Sequence, residues 1–142
     1  MNINITGSTK ARRDLVKKSV DFVVKELGLT RMKTLNVDIK LVKMEEGNYG
    51  LCLAEDPGKH MRNFTINVNK NMNISMLIRT VLHEFVHVKQ FARSELNAKY
   101  VGMQWKTAHV TDDTDYMDLP WEKEAYKLEE KLAAKIWKEN IL

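Results

Sequence analysis

The feature that most constrains the fold is residues 80–87, because two histidines and a glutamate lie there within an otherwise apolar helical pattern. The apolar positions recur at helical spacing and predict a wide buried face: Leu77, Ile78, Val81, Leu82, Phe85 and Val86. Asn73 or Ser75 could cap the start of this helix. Positions i and i+4 of a helix share one face, so His83 and His87 could offer two imidazole nitrogens to one metal ion.

The H-E-x-x-H spacing predicts a hydrolytic zinc centre. Glu84 follows His83 directly and so lies on the adjacent face of the helix. Its carboxylate could reach a metal-bound water without binding the metal. A catalytic zinc usually takes three protein ligands and leaves the fourth position to water. The plainer interpretation is a buried helix with two hydrogen-bonded histidines, but burying a glutamate there without a function is energetically costly.

The rest of the sequence predicts an α+β domain. A helical pattern at residues 16–27 indicates an N-terminal helix that ends at Gly28. Alternating apolar residues at 35–41, 49–53 and 64–68 predict a three-stranded antiparallel or mixed sheet before the motif helix. A short hairpin or loop is expected at residues 100–110, and a C-terminal helix beginning near Pro120. No repeat, low-complexity segment or linker is evident, so we expect residues 1–142 to form a single domain.

The third zinc ligand is expected downstream of the motif helix. The candidates are His109, Glu122, Glu124 and the acidic cluster from Asp112 to Asp118. A ligand on a second helix is held more rigidly than one on a loop, which favours the glutamates. For His109 three roles stay open: an exposed hairpin residue, a hydrogen-bond donor to the reaction's oxyanion, or the third ligand. Tyr116 is a weaker donor candidate. Gln90, one turn beyond the second histidine, is expected either to hydrogen-bond near the site or to pack against the second helix.

A resemblance to a known family narrows these choices. H-E-F-V-H-V-K-Q at residues 83–90, followed by P-W-E-K-E-A-Y at 120–126, resembles the small zincin-type metallopeptidases often encoded by bacteriophages, described as SprT-like or gluzincin-like. In gluzincins the second helix carries E-x-x-x-D or E-x-E-A-D, and its first glutamate is the third ligand. The resemblance therefore implies a zincin-like fold with Glu122 as that ligand, while Glu124 remains an alternative.

The chain departs from the family pattern at Tyr126, where an Asp or Asn would usually hydrogen-bond a ligand histidine. Another carboxylate or a backbone carbonyl must then orient His83 or His87. Trp121 and Tyr126 themselves are predicted to be core residues rather than substrate contacts.

The predicted function is zinc-dependent hydrolysis of peptide bonds. In this hypothesis Zn²⁺ is held by His83, His87 and Glu122, Glu84 takes a proton from the zinc-bound water, and His109 is the candidate oxyanion donor. The strand at residues 63–68 could align an extended substrate by backbone pairing. The alternative is a zinc-containing protein- or DNA-binding module without peptidase activity. A metal-dependent amidase or cell-wall hydrolase would use the same chemistry.

Composition limits the compartment and the partners. Cys52 is the single cysteine, which excludes an intramolecular disulfide and the four-cysteine zinc ribbon that often accompanies SprT-like domains. A cytoplasmic setting fits best, because we find neither a secretory signal nor an apolar run as long as a membrane span. The net charge of +4 permits weak association with nucleic acid through a lysine-rich surface. The main expected partner is a protein or peptide substrate.

Overall fold

The computed structural model describes residues 1–56, 58, 60–98 and 102–142. Its elements, in chain order, are β1 (Asn2–Gly7), α1 (Lys10–Glu26), β2 (Asn36–Val42), β3 (Gly50–Ala54), β4 (Asn63–Asn69), α2 (Ile74–Ala92), β5 (Leu96–Ala98), β6 (Met103–Trp105), β7 (Ala108–Val110), a 3₁₀ turn (Tyr116–Asp118) and α3 (Pro120–Lys138). Within these described ranges, none of the helices combines the length and apolarity that a membrane span requires. The layout is α+β, as the sequence predicts.

The main sheet has four strands in the order β1-β2-β4-β3, and not the three that the sequence predicts. β1, β2 and β4 run parallel, while β3 pairs antiparallel with β4 at the edge, so the expected mixed sheet is confirmed. The missed strand is β1, which contains only two apolar residues, Ile3 and Ile5, between asparagines and a threonine. Its pairing with β2 stabilises it, and an edge strand of this kind carries little apolar signal of its own.

One face of this sheet is buried beneath the helices. Alternate residues of the two central strands form that face: Val37, Ile39, Leu41, Phe64, Ile66 and Val68. The residues between them on β2 point to solvent, which is the alternation that an antiparallel or mixed sheet with one covered face requires. α2 contacts α1, α3, β3 and β4, so it is the central element of the core. Its apolar side chains between residues 77 and 88, including Phe85 and Val86, are fully buried.

The ends of the helices are fixed as the sequence predicts. Asn73 caps α2, because its Oδ1 accepts a hydrogen bond from the Met76 backbone N–H at 2.9 Å. α3 begins at Pro120, where proline's fixed φ and missing N–H are tolerated. This start places Glu122 in the first turn of α3, beside the middle of α2.

A second, small antiparallel sheet joins α2 to the C-terminal part of the chain. Its order is β5-β6-β7, with β6 and β7 forming a hairpin. The hairpin expected within residues 100–110 is therefore confirmed for the strands at 103–105 and 108–110, whereas Tyr100 and Val101 lie outside the described residues.

Candidate metal centre

Three of the predicted ligands converge where α2 meets α3. His83 and His87 lie one turn apart on α2, and their Nε2 atoms are 3.1 and 3.0 Å from Oε1 of Glu122. One ligand atom from each residue lies within 4.8 Å of the other two, and all three residues are buried. The structure thus assembles a buried His-His-Glu group that could hold a metal ion.

The donor set fits zinc. Two imidazole nitrogens and one carboxylate oxygen are typical of catalytic zinc sites with three protein ligands. With metal–ligand bonds of about 2.0–2.1 Å, tetrahedral donors lie about 3.3 Å apart. The observed separations of 3.0 and 3.1 Å between Glu122 Oε1 and the two Nε2 atoms are a few tenths of an ångström shorter. A small outward movement of the carboxylate would therefore accommodate the ion.

The other ring nitrogen of each histidine faces an acceptor, which determines the nitrogen available to a metal. His83 Nδ1 lies 3.0 Å from Oε1 of Glu129, and His87 Nδ1 lies 2.7 Å from Oε1 of Gln90. The Gln90 amide nitrogen donates to the Trp121 carbonyl at 2.9 Å, so its oxygen is the atom that faces the histidine. Each Nδ1 therefore carries a hydrogen, and each Nε2 is left for the ion.

Glu129 supplies the carboxylate that orients His83, in place of the Asp or Asn that the family pattern has where this chain has Tyr126. It lies seven residues after Glu122, about two helical turns, and therefore on the same side of α3. Its other oxygen pairs with the Arg79 guanidinium at 3.0 Å. Gln90 fulfils both roles expected of it, because it hydrogen-bonds a ligand histidine and contacts α3. Glu129 was missed because the family pattern points to a position three residues earlier.

Charge is concentrated in this buried group. Burial lowers the pKa of His83, but hydrogen bonds to Glu122 and Glu129 outweigh it and raise the pKa to about 9. Burial also opposes protonation of His87, whose pKa is nevertheless raised, chiefly by Glu122. Burial raises the pKa of Glu122, but the two histidines outweigh it and lower the pKa to about 2. Glu122 is consequently ionised at neutral pH, as a metal ligand must be.

Glu84 lies beside the ligand group and not within it. The carboxylate is buried, and burial raises its pKa, although the two histidines partly oppose the shift. Its Oε1 lies close to β3: a Cβ added at Gly50 would be only 3.2 Å from that oxygen. A buried carboxylate with a raised pKa is suited to accept and return a proton near neutral pH.

Among the described residues, the other ligand candidates (Glu124, His109 and the acidic residues at 112–118) are not part of this group. Glu124 Oε1 accepts hydrogen bonds from Lys89 Nζ at 3.0 Å and from the Gln90 amide at 3.2 Å, so its carboxylate is engaged elsewhere. His109 is exposed on β7, where its ring lies next to Gly102. Among the residues described, His109 lines neither of the two cavities beside the metal group. Of the candidates, only Glu122 joins the two histidines.

Tyr116 and Tyr126 border the site. The Tyr126 ring packs against the His83 ring with 4.6 Å between centroids, and its hydroxyl lies 3.2 Å from that of Tyr116. Burial, the Tyr126 hydroxyl and the charge of Glu122 all raise the pKa of Tyr116. The prediction that Tyr126 is a core residue is wrong, because this side of α3 faces an open cleft and leaves the ring exposed. Trp121 is half-buried at the edge of the same cleft.

The cleft consists of two adjoining cavities along β3. One has a volume of about 430 Å³ and lies beside His83 and Glu84. The other, of about 260 Å³, surrounds the metal group and has mainly apolar walls: Leu51, Cys52, Phe91, Leu96, Met103 and Trp121. Gly50 of β3 lines both cavities.

The strand expected to align a substrate is not the one with a free edge. The sequence favours residues 63–68, but β4 pairs with β2 on one side and with β3 on the other. Its backbone groups are therefore already engaged within the sheet. β3 is the edge strand next to the cleft, so it is the strand that could accept a further one.

Comparisons of the chain with protein-family models, with curated proteins and with solved structures gave no match. The resemblance to SprT-like metallopeptidases therefore has no support from a detectable relative. A functional assignment rests on the chemistry of the residues in the site.

Proposed function

We propose that the protein is a zinc-dependent metallopeptidase of the zincin type. The observation that carries the proposal is the convergence of His83 and His87 Nε2 on Glu122 Oε1, with Glu84 buried alongside. Zinc bound there would lower the pKa of a bound water and polarise the substrate carbonyl. The surrounding residues supply proton transfer, charge stabilisation and substrate alignment.

Glu84 acts as the general base and then as the general acid. It takes a proton from the water whose oxygen bonds to the scissile carbonyl carbon, and it returns that proton to the amine nitrogen as the C–N bond breaks. Because burial raises its pKa, the protonated carboxyl that exists between these two steps is less costly to form.

Tyr116 replaces His109 as our candidate for the oxyanion donor. Its hydroxyl is close enough to Glu122 and Tyr126 for both to influence its pKa, which is raised, so the hydroxyl keeps its proton at neutral pH. A neutral hydroxyl beside the metal group can donate a hydrogen bond to the oxygen that gains charge in the transition state. His109 lies in the second sheet and is not part of this mechanism.

The free edge of β3 aligns the substrate. An extended peptide could pair with the backbone N–H and C=O groups of this strand and run along the cleft past the metal group. Gly50 suits this role, because a Cβ at its position would come within 2.6 Å of Thr80 Cγ2 and 3.2 Å of Glu84 Oε1. Glycine therefore lets the strand approach the general base closely.

The decisive experiment is Glu84→Gln. We expect the variant to bind one equivalent of zinc like the wild type and to lose peptide hydrolysis by about a thousandfold, since the general base is removed and the ligands are kept. Glu130→Gln, an exposed change on α3, is the matched control and should remain active. An unchanged turnover in Glu84→Gln would rule out the mechanism. Zinc binding by the wild type without cleavage of any peptide would favour the binding-module alternative.

A further inference from the structure

The larger cavity of the cleft contains an unusual concentration of exposed aromatic side chains. All three tyrosines that the structure describes line it, and Tyr49, Tyr116 and Tyr126 are 53%, 51% and 42% exposed. Single exposed tyrosines are ordinary on a protein surface. Three around one cavity of about 430 Å³ beside a candidate catalytic centre are typical of a recognition site.

The charges in this cavity are balanced among themselves. Arg79 Nε and Nη2 each lie 3.0 Å from Glu129 Oε2, and the other oxygen of Glu129 is 3.0 Å from His83 Nδ1. A cationic side chain entering the cavity would be repelled by Arg79, and an anionic one by Glu84 and Glu129. An anionic side chain would find Arg79 already paired with Glu129, and a cationic one would find Glu129 already paired and Glu84 under the positive influence of the two histidines, so the cavity favours a neutral side chain.

The walls favour an aromatic side chain among the neutral ones. Tyrosine rings offer edge-to-face or offset stacking, and the Met76 thioether makes favourable contacts with aromatic rings. The planar Arg79 guanidinium, already neutralised by Glu129, can stack on a further ring. The volume is ample for the largest aromatic side chain.

We propose that this cavity binds an aromatic side chain of the residue that flanks the scissile bond, which makes the protein selective for peptides with Phe, Tyr or Trp at that position. The inference rests on the proposed peptidase function. The cavity shares Gly50, His83 and Glu84 with the cavity around the metal group. A side chain held in it therefore belongs to a residue adjacent to the reacting carbonyl.

The first test is digestion of a diverse peptide library by the zinc-loaded full chain, with cleavage sites identified by mass spectrometry. We expect aromatic residues to be enriched on one side of the cleaved bond. For matched peptides, kcat/KM with phenylalanine should exceed that with alanine at least about fivefold, in keeping with the energy of aromatic contacts. Tyr49→Ala should remove most of this preference. A preference that Tyr49→Ala leaves intact would overturn the proposal.

Trp137→Ala is the matched control for Tyr49→Ala. Trp137 is 45% exposed, similar to Tyr49, but it lies about 22 Å further along α3 than Glu122. We expect this variant to keep both the activity and the aromatic preference of the wild type. Loss of the preference in Trp137→Ala as well would overturn the assignment to this cavity.

A binding measurement separates the cavity from the chemistry. N-acetylphenylalaninamide is titrated into the zinc-loaded Glu84→Gln variant, and NMR signals of Met76 and Thr80 are followed, with N-acetylalaninamide as the control. Shifts caused by the aromatic amide and not by N-acetylalaninamide support an aromatic-binding cavity. If the protein shows these shifts but cleaves no peptide, the cavity assignment holds and the peptidase function is wrong. Cleavage without aromatic preference, or no shifts with either amide, would overturn the cavity assignment.

Discussion

Zinc affinity is expected to fall steeply as the pH is lowered from 9 to 7, because protons and the metal compete for the same ring nitrogens. Glu129 and Gln90 hold a hydrogen on each Nδ1, so the ion must bind at Nε2 of His83 and His87. Protonated histidines hydrogen-bonded to Glu122 must therefore lose a proton each when zinc binds.

The size of the effect follows from the pKa of His83, which is raised to about 9. Each pH unit below that value costs about 1.4 kcal/mol, so displacing the proton at pH 7 costs about 3 kcal/mol. Because His83 is still half protonated at pH 9, its proton alone makes the apparent affinity about fiftyfold weaker at pH 7 than at pH 9. The pKa of His87 is also raised, and its proton changes the affinity in the same direction.

The assay is competition with a chromophoric zinc chelator at pH 7, 8 and 9, corrected for protonation of the chelator. Calorimetry in two buffers of different ionisation enthalpy counts the protons released, and we expect between one and two at pH 7. His60→Gln, an exposed change outside the site, should leave both results unchanged. A zinc affinity that is flat between pH 7 and 9, or binding that releases no proton, would refute the reasoning.

Three further predictions concern stability and the orienting shell. Without metal, the raised pKa of His83 stabilises the fold by about 3 kcal/mol at pH values below the unfolded-state pKa of about 6.5. This contribution is lost as the pH rises to about 9. The midpoint of thermal denaturation, measured with a chelator present, should therefore fall between these two pH values. Glu129→Gln should weaken zinc binding about tenfold, with Glu130→Gln unchanged, as measured by chelator competition. Gly7→Ala should lower the free energy of unfolding in urea by at least about 3 kcal/mol, because its Cβ would come within 2.1 Å of the Leu41 carbonyl oxygen. Gly47 has the same φ of +89° but no neighbour within 4 Å of an added Cβ, so Gly47→Ala should lower it by only about 1 kcal/mol.

The parts of the site that could be predicted are those fixed by local geometry. Helical spacing alone places His83 and His87 on one face of α2 and Glu84 beside them. The resemblance of residues 120–126 to a gluzincin helix then identified Glu122 as the carboxylate that joins them. The first inference depends on spacing within one helix, which a sequence pattern records directly, whereas the second depends on the family resemblance.

The parts that could not be predicted depend on how distant segments meet. Glu129 reaches His83 because of the way α3 packs against α2, and no residue spacing within either helix encodes that contact. The role of β3 as the edge strand depends likewise on the order of strands in the sheet. Tyr126 was assigned to the core because an aromatic residue on an amphipathic helix is usually buried, and only the cleft beside it explains its exposure.

The origin of the three candidate ligands on two helices has a consequence for biosynthesis. His87 and Glu122 are 35 residues apart, with the small sheet between them. During translation both imidazoles are made before the carboxylate, so a nascent chain offers only two of the three candidate ligands until α3 has been made and has docked. Under the proposed function, hydrolytic activity would therefore arise only after α3 has docked against α2.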